Sequence, residues 1–234
     1  MGIKYGVNEK FFEHWSHTMA YVLGYIYADG HLEDAPYLRG KYLRVTSVEK
    51  NNLLKIRKWL ESKHKLLSRE SYHSNGRIVY QLRIGSHKIY DDLVVLGLYP
   101  NKSLTIPFPK IPKKYLNGFI RGYFDGDGCV YLERRKNKKN KYIIKKLSVI
   151  FTSGSKKFLE GLCLCLKNEI DTKQDKIYNS HRSFQLRHNT ADTIKIFKFL
   201  YKKSIGNAYL PRKYKIFKKY FNLKRHIGLT KSQK

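Results

Sequence analysis

The sequence predicts a mixed α/β (α+β) protein built from two pseudo-symmetric αββαββα repeats, each with one four-stranded antiparallel sheet, the two sheets lying side by side as a saddle. Two observations carry this. The first is an internal duplication. Tyr21–Leu32 reads YVLGYIYADGHL and Phe119–Leu132 reads FIRGYFDGDGCVYL, so Gly24, Asp29 and Gly30 recur as Gly122, Asp127 and Gly128 at a shift of 98 residues. Val45-Thr46-Ser47 then recurs as Phe151-Thr152-Ser153 at a shift of 106, and Gln81-Leu82-Arg83 as Gln185-Leu186-Arg187 at 104. The second is that each copy alternates between helical apolar spacing and period two.

In chain order, Phe12, Trp15, Met19, Val22, Leu23 and Ile26 lie near helical spacing and predict a helix from Glu9 to Asp29. Two strand-like runs follow, the second being Tyr42–Ser47, and then an amphipathic helix over Lys50–Lys63. Asn75-Gly76 is a strong hairpin signal between strands Leu67–His73 and Arg77–Ile84. A helix at His87–Leu96 closes the first copy. The second copy predicts helix Lys113–Asp125, strands Val130–Arg135 and Tyr142–Thr152, and helix Lys156–Asn168. Strands near Lys176–Asn179 and at Ser183–Arg187 and helix Ala191–Lys203 complete it. Pro107, Pro109 and Pro112 cannot continue a helix and mark 101–114 as a linker. The expected organisation is therefore a first repeat at 1–100 and a second at 115–234, ending in a basic helix, Pro211–Leu223.

Charge narrows the function. The 234 residues hold 48 Lys+Arg against 18 Asp+Glu, a formal charge of +30. So many cations in one compact body repel one another, and an anionic polymer relieves this through counterion release. Basic residues lie on predicted strands as well as helices, among 19 Tyr, which favours nucleic acid over a membrane surface. The chain has no uninterrupted apolar stretch of about 18 residues, and MGIKYGVNEK lacks an apolar signal core, so an intracellular protein without a membrane partner is expected. Cys129, Cys163 and Cys165 form no CxxC pair, which excludes a disulfide framework.

Asp29 and Asp127 are the most informative residues. A carboxylate at a helix C-terminus faces the negative end of the macrodipole, a cost of about 0.3–1 kcal/mol, and both copies accept it at the same place. A bound divalent cation would reverse that sign. Gly30 and Gly128 are expected to end the helices in the left-handed conformation that glycine tolerates. Gly24 and Gly122 would let the two helices approach closely, bringing both carboxylates together at less than the usual 8–10 Å between helix axes. Two close carboxylates favour a hard ion such as Mg²⁺ between them, the arrangement for metal-assisted phosphodiester hydrolysis.

These residues resemble the LAGLIDADG homing endonucleases, with VLGYIYADG (22–30) and IRGYFDGDG (120–128) as two signature helices in one chain. The resemblance implies a monomeric, Mg²⁺-dependent endonuclease that cuts both strands of a long asymmetric DNA site. It implies short 3′ overhangs and an origin in a mobile intron or intein. Mn²⁺ would substitute, and Ca²⁺ would support binding without cleavage. The metal ligands would be Asp29, Asp127 and the carbonyls of Ala28 and Gly126. Ser47 and Ser153 stand where the family places a polar residue, and Lys102 and Lys213, with Arg212 as a rival, where it places a lysine beside the scissile phosphate. The alternative on the same scaffold is a maturase that binds host intron RNA.

Other residues read more plainly. Asp125 is expected to pack or cap a helix, and its place in the first copy is taken by Tyr27. His14 and His17 read as surface or packing residues; Cys163 and Cys165 point to different faces of one helix. Arg134, Arg135, Lys136, Lys138, Lys139 and Lys141 form a basic run suited to clamping phosphates. Arg77, Tyr80, Gln81 and Arg83, with His181, Arg182, Gln185 and Arg187, are candidates for contacting base edges.

Overall fold

The computed structural model of the chain describes residues 5–35, 40–70, 76–136, 140, 142–202 and 208–229, with side chains to 223. The first repeat comprises α1 (His17–Asp29), β1 (Gly30–Ala35), β2 (Gly40–Ser47), α2 (Lys50–Trp59), β3 (Leu66–Glu70), β4 (Ile78–Gly85) and α3 (His87–Val95). The second comprises α4 (Leu116–Asp127), β5 (Gly128–Lys136), β6 (Tyr142–Ser153), α5 (Lys156–Ile170), β7 (Ile177–Ser180), β8 (Ser183–Arg187) and α6 (Thr190–Leu200), with α7 (Pro211–Leu229) after it. The sheets run in the orders β1-β2-β4-β3 and β5-β6-β8-β7, every pair antiparallel.

Period two gives each sheet one apolar face. Leu32, Leu43, Val45, Leu82 and Ile84 are buried on the first, and Val130, Leu147, Val149, Phe151 and Leu186 on the second. The helices cover these faces and leave the others open. α1 and α4 lie at the centre of the molecule, packed on each other, and α1 is buried without a break from Met19 to Tyr27. A helix enclosed on all sides needs no polar stripe, which is why its sequence is apolar all round.

Several boundaries differ from the sequence expectation for local reasons. α1 starts at His17 because the Ser16 side chain caps it, accepting from Met19 N at 3.0 Å. Residues 9–13 form turns instead, with Phe12 buried in the core, so the periodicity there reflects core contact and not helix. α2 stops at Trp59 because Glu61 takes φ 49°. α4 starts after a short 3₁₀ turn, Lys113–Tyr115, that follows Pro112. The expected strand end at His73 and hairpin residue Asn75 lie outside the described residues.

The helix pair meets through its glycines. A Cβ at Gly24 would lie 2.0 Å from the Phe119 carbonyl oxygen, and one at Gly122 would lie 2.0 Å from that of Tyr21. Since 119 and 21 differ by the same 98 residues as 122 and 24, the contact obeys a local two-fold axis. Gly30 and Gly128 correct the expectation. They have φ −91° and −93°, not left-handed values, and continue directly into β1 and β5. Glycine is needed there for space: a Cβ would lie 2.5 Å from the Ile26 carbonyl oxygen or from that of Phe124.

Candidate active site and nucleic-acid face

Both acids leave the same end of the central helix pair. The residues before them, Ala28 and Gly126, face each other: a Cβ at Gly126 would lie 2.4 Å from Ala28 Cβ and 3.6 Å from Asp29 Cγ. Asp29 is half-buried and Asp127 opens to solvent. Burial first, and then the negative charge of Asp127, push the Asp29 carboxyl up to about 7, against the pull of Tyr25, Lys213 and Ser47. The protein packed around Asp127 raises its pKa too, opposed by the charges of Lys102 and Lys213. Like charge is thus concentrated where a cation would relieve it.

The surrounding groups repeat under the same two-fold axis. The hydroxyl of Tyr25 lies 2.8 Å from Ser47 Oγ, and that of Tyr123 donates to the Thr152 carbonyl at 2.7 Å. Ser47 Oγ accepts from Glu49 N at 3.2 Å, and Ser153 Oγ from Ser155 N at 3.1 Å, so each serine also turns the chain out of its strand. Lys102 and Lys213 are buried. Lys102 Nζ donates to the Tyr27 carbonyl at 2.8 Å; Lys213 Nζ donates to the carbonyls of Phe124 (2.6 Å), Asp125 (2.9 Å) and Gly128 (2.5 Å). Tyr27 and Asp125 are equivalent positions, two residues before each acid. Burial pushes both ammonium groups down to about 8, and neighbouring carboxylates hold them up. Arg212 goes elsewhere: it is exposed and pairs with Glu49.

Each lysine arrives on a segment anchored by the residue two before the acid. Tyr27 donates from its hydroxyl to the Leu96 carbonyl at 2.8 Å, fixing the turn through Gly97 (φ 94°) that leads to Lys102. Asp125 accepts from Leu210 N at 2.8 Å and from the Tyr21 hydroxyl at 2.9 Å, fixing the start of α7, which carries Lys213. Asp125 is buried and, two residues from Asp127, faces α7.

The register decides which strand residues face outward. Gln81 pairs with Thr46 and Arg83 with Arg44, on the open face of the first sheet; Gln185 pairs with Thr152 and Arg187 with Ile150, on that of the second. Tyr80 is a correction. It pairs with Ser47 on the helix-covered face, beneath Lys50, whose Nζ lies 5.5 Å from the ring centre. A β-bulge at Glu133/Arg134 sends Arg135 to the open face with Ile143, and Arg134, with Ile144, to the other. Lys136 ends β5 with its Nζ 5.7 Å from the Tyr142 ring centre, Arg77 sits in the turn before β4, and Arg182 (φ 53°) sits at the β7–β8 tip. Lys138, Lys139 and Lys141 lie outside the described residues.

Residues 114–200, which hold α4 to α6, match the LAGLIDADG-like domain. The match covers 87 of the 234 residues, so it is the second repeat that is similar to this domain. Solved structures share the fold of both halves. The homing endonuclease I-WcaI bound to its DNA recognition sequence superposes with a TM-score of 0.59 at 14% identity, covering 88% of this chain and 89% of that one. A variant of I-DmoI in complex with its nicked target DNA, in the presence of manganese, gives 0.53 at 16% identity and covers 85% and 99%. Full-length DUF199/WhiA from Thermatoga maritima gives 0.54 at 11% identity and covers 97% and 70%. In sequence, the chain is 35% identical over 111 residues to a probable translation initiation factor IF-2 of Methanocaldococcus jannaschii and 37% identical over 92 residues to that of Thermococcus kodakarensis. It spans only 9% and 7% of their lengths.

Sequence reasoning missed the tyrosines. Tyr25 and Tyr123 align at the 98-residue shift inside two apolar helices, and their alignment was the available signal. It also missed Tyr27 as an anchor, and Glu33 and Arg44 on the open face of this LAGLIDADG fold.

Proposed function

We propose that this chain is a site-specific endonuclease that cuts both strands of double-stranded DNA at a long asymmetric site by metal-dependent phosphodiester hydrolysis. The observation that carries this reading is the pair of acids, one from each repeat, sharing one partly buried site in which Asp29 is pushed up to about 7. The donor set fits a hard cation: two carboxylates, with the carbonyls of Ala28 and Gly126 beside them, are the oxygen ligands that Mg²⁺ or Mn²⁺ takes. Among the described residues, no group of three or more His, Cys, Asp or Glu competes as a metal site. Bound there, the ion would lower the pKa of a water and stabilise the departing 3′ oxygen.

The chain's own residues supply the rest. Asp29 and Asp127 hold the ions, and Tyr25 and Ser47 orient Asp29 through hydrogen bonds. Lys102 and Lys213 fix the carbonyls at the two helix ends and keep positive charge beside the scissile phosphates. Gln81, Arg83, Gln185 and Arg187 face the major groove on either side of a central segment, where the narrow minor groove brings phosphates of opposite strands near the acids. The DNA-bound neighbours support this partner, and the manganese-containing one supports a divalent ion. Similarity to a short segment of much longer translation factors supports an origin as an inserted element. We read the chain as an intracellular monomer.

The fold, shared with DUF199/WhiA as well as with endonucleases, also accommodates a second reading, a DNA-binding protein that does not cut. One experiment separates them: incubation with a randomised duplex library in Mg²⁺ and in Ca²⁺. Cleavage in Mg²⁺ and binding alone in Ca²⁺ support the nuclease; binding without cleavage in both ions supports the second reading.

A further inference from the structure

The open face of the first sheet carries a charged group that the second lacks. Glu33 on β1 bridges two arginines: Oε1 lies 2.9 Å from Arg44 Nη1, and Oε2 accepts from Arg83 Nε at 2.8 Å. Arg44 and Arg83 are cross-strand partners on β2 and β4, and the Arg83 guanidinium carbon lies 3.5 Å from the centre of the Tyr42 ring. A carboxylate on a face that meets a polyanion is electrostatically unfavourable, so its place there calls for a reason. The exposures suggest one. The arginine side chains are 39% and 35% exposed and Glu33 only 18%, so the carboxylate sits low and the guanidinium groups stand proud of it. With Nε engaged, Arg83 has its Nη1–Nη2 edge left for an outside ligand.

We propose that Glu33, Tyr42, Arg44 and Arg83 form a preorganised clamp that reads guanine at two neighbouring positions of the half-site under the first sheet. An arginine fork matches guanine O6 and N7 on the major-groove edge. Glu33 and Tyr42 fix the forks in advance, removing the rotamer entropy that a mobile surface arginine loses on binding. In the second sheet, Tyr131, Ser148 and Ile150 stand at the positions of Glu33, Tyr42 and Arg44, and Arg187 alone recurs. Arg187 donates to Gln185 Oε1 at 2.9 Å, and the acid on that face, Glu133, meets Lys145 at 2.7 Å. The guanine pair therefore belongs to one half-site only. This inference rests on the DNA-site reading above and deepens it by naming bases.

The competing role for Glu33 is to neutralise repulsion between two facing arginines, which affects stability and not base choice. The test is selection by binding, without divalent metal, from a randomised duplex library, using the full chain, Glu33→Gln and Arg83→Lys, with thermal melts of each. The parent chain should select guanine at two adjacent positions on one side. In Glu33→Gln that preference should fall about tenfold, while affinity for random duplex stays level or rises with the loss of an acid. Arg83→Lys, which keeps the charge and loses the fork, should lose guanine at one of the two positions. If the parent selects a site without the guanine pair, or Glu33→Gln keeps the full preference, the clamp is overturned and the DNA reading stands. If no sequence is selected at all, both are overturned.

Discussion

Replacing Gly24 by alanine tests the helix pair on which the whole site rests. The new methyl would lie 2.0 Å from the Phe119 carbonyl oxygen, 2.8 Å from its carbonyl carbon and 2.9 Å from Tyr123 N. All three are backbone atoms, so no rotamer change relieves the contact. Carbon and oxygen need roughly 3.2–3.4 Å, so α1 and α4 must separate by about 1 Å, and a gap of that size forfeits a quarter to a half of each dispersion contact across it. Overpacking usually costs about 1–3 kcal/mol; between two fixed backbones we expect about 3–5 kcal/mol, or a fall of roughly 6–20 °C in Tm for a chain of this size. Gly122→Ala should cost the same, because its methyl meets the Tyr21 carbonyl oxygen at the same 2.0 Å. One separation relieves both clashes, so the double variant should cost clearly less than the sum. Circular-dichroism melts and urea titrations measure this. A loss under 1 kcal/mol for either variant, or strongly unequal losses, would refute the close two-fold packing.

The anchors should differ in strength. Tyr27→Phe removes one hydrogen bond, to Leu96, and should cost about 1 kcal/mol; Asp125→Ala strands Leu210 N and takes a carboxylate from beside Arg121, and should cost about 3 kcal/mol. Urea midpoints give both values, and hydrogen exchange should show faster opening of α7 in the second variant. His188 is buried and held down to about 4, from 6.5, chiefly by that burial. Its folded state refuses a proton that the unfolded chain accepts, so its contribution is complete above pH 6.5 and is lost as pH falls towards 4, by up to about 3 kcal/mol. Asp29 and Asp125, pushed up to about 7 and about 6, act in the opposite direction over part of that range, so the difference between parent and His188→Gln is the quantity to follow. Binding to DNA should weaken by orders of magnitude between about 50 and 200 mM salt, with a linear log–log plot, as phosphate contacts require; a flat response would exclude nucleic acid as the partner.

Where a pattern depended on the repeat, the sequence was informative. The internal repeat pointed to both acids and to the Gln-Leu-Arg strands, whereas Lys102 and Lys213 came only from the family resemblance. Strand β8 was read to the residue because Ser183–Arg187 is short and bounded by turns. What could not be read was which side of a strand is covered. Period two separates Tyr80 from Gln81 and Arg83 but does not say which set meets the helices, and only the pairing with Ser47 decides it. Helix ends were misjudged where a tertiary contact imitated periodicity, as at Phe12, or where a φ choice ended the run, as at Glu61. The Asp-Gly dipeptides do not show why Gly30 and Gly128 must be glycine, because crowding against Ile26 and Phe124 is a property of the packed helix end. Tyr25 and Tyr123 looked apolar because their rings are; their hydroxyl groups matter only once the strand ends lie beneath them.

The most direct measurement is strand cleavage by the Asp29→Asn, Asp127→Asn double variant on a selected duplex, in Mg²⁺ and with protein in excess over its dissociation constant. The account predicts that neither strand is cut while affinity stays within a few fold of the parent chain. Cleavage by the double variant at a rate near the parent's would contradict it.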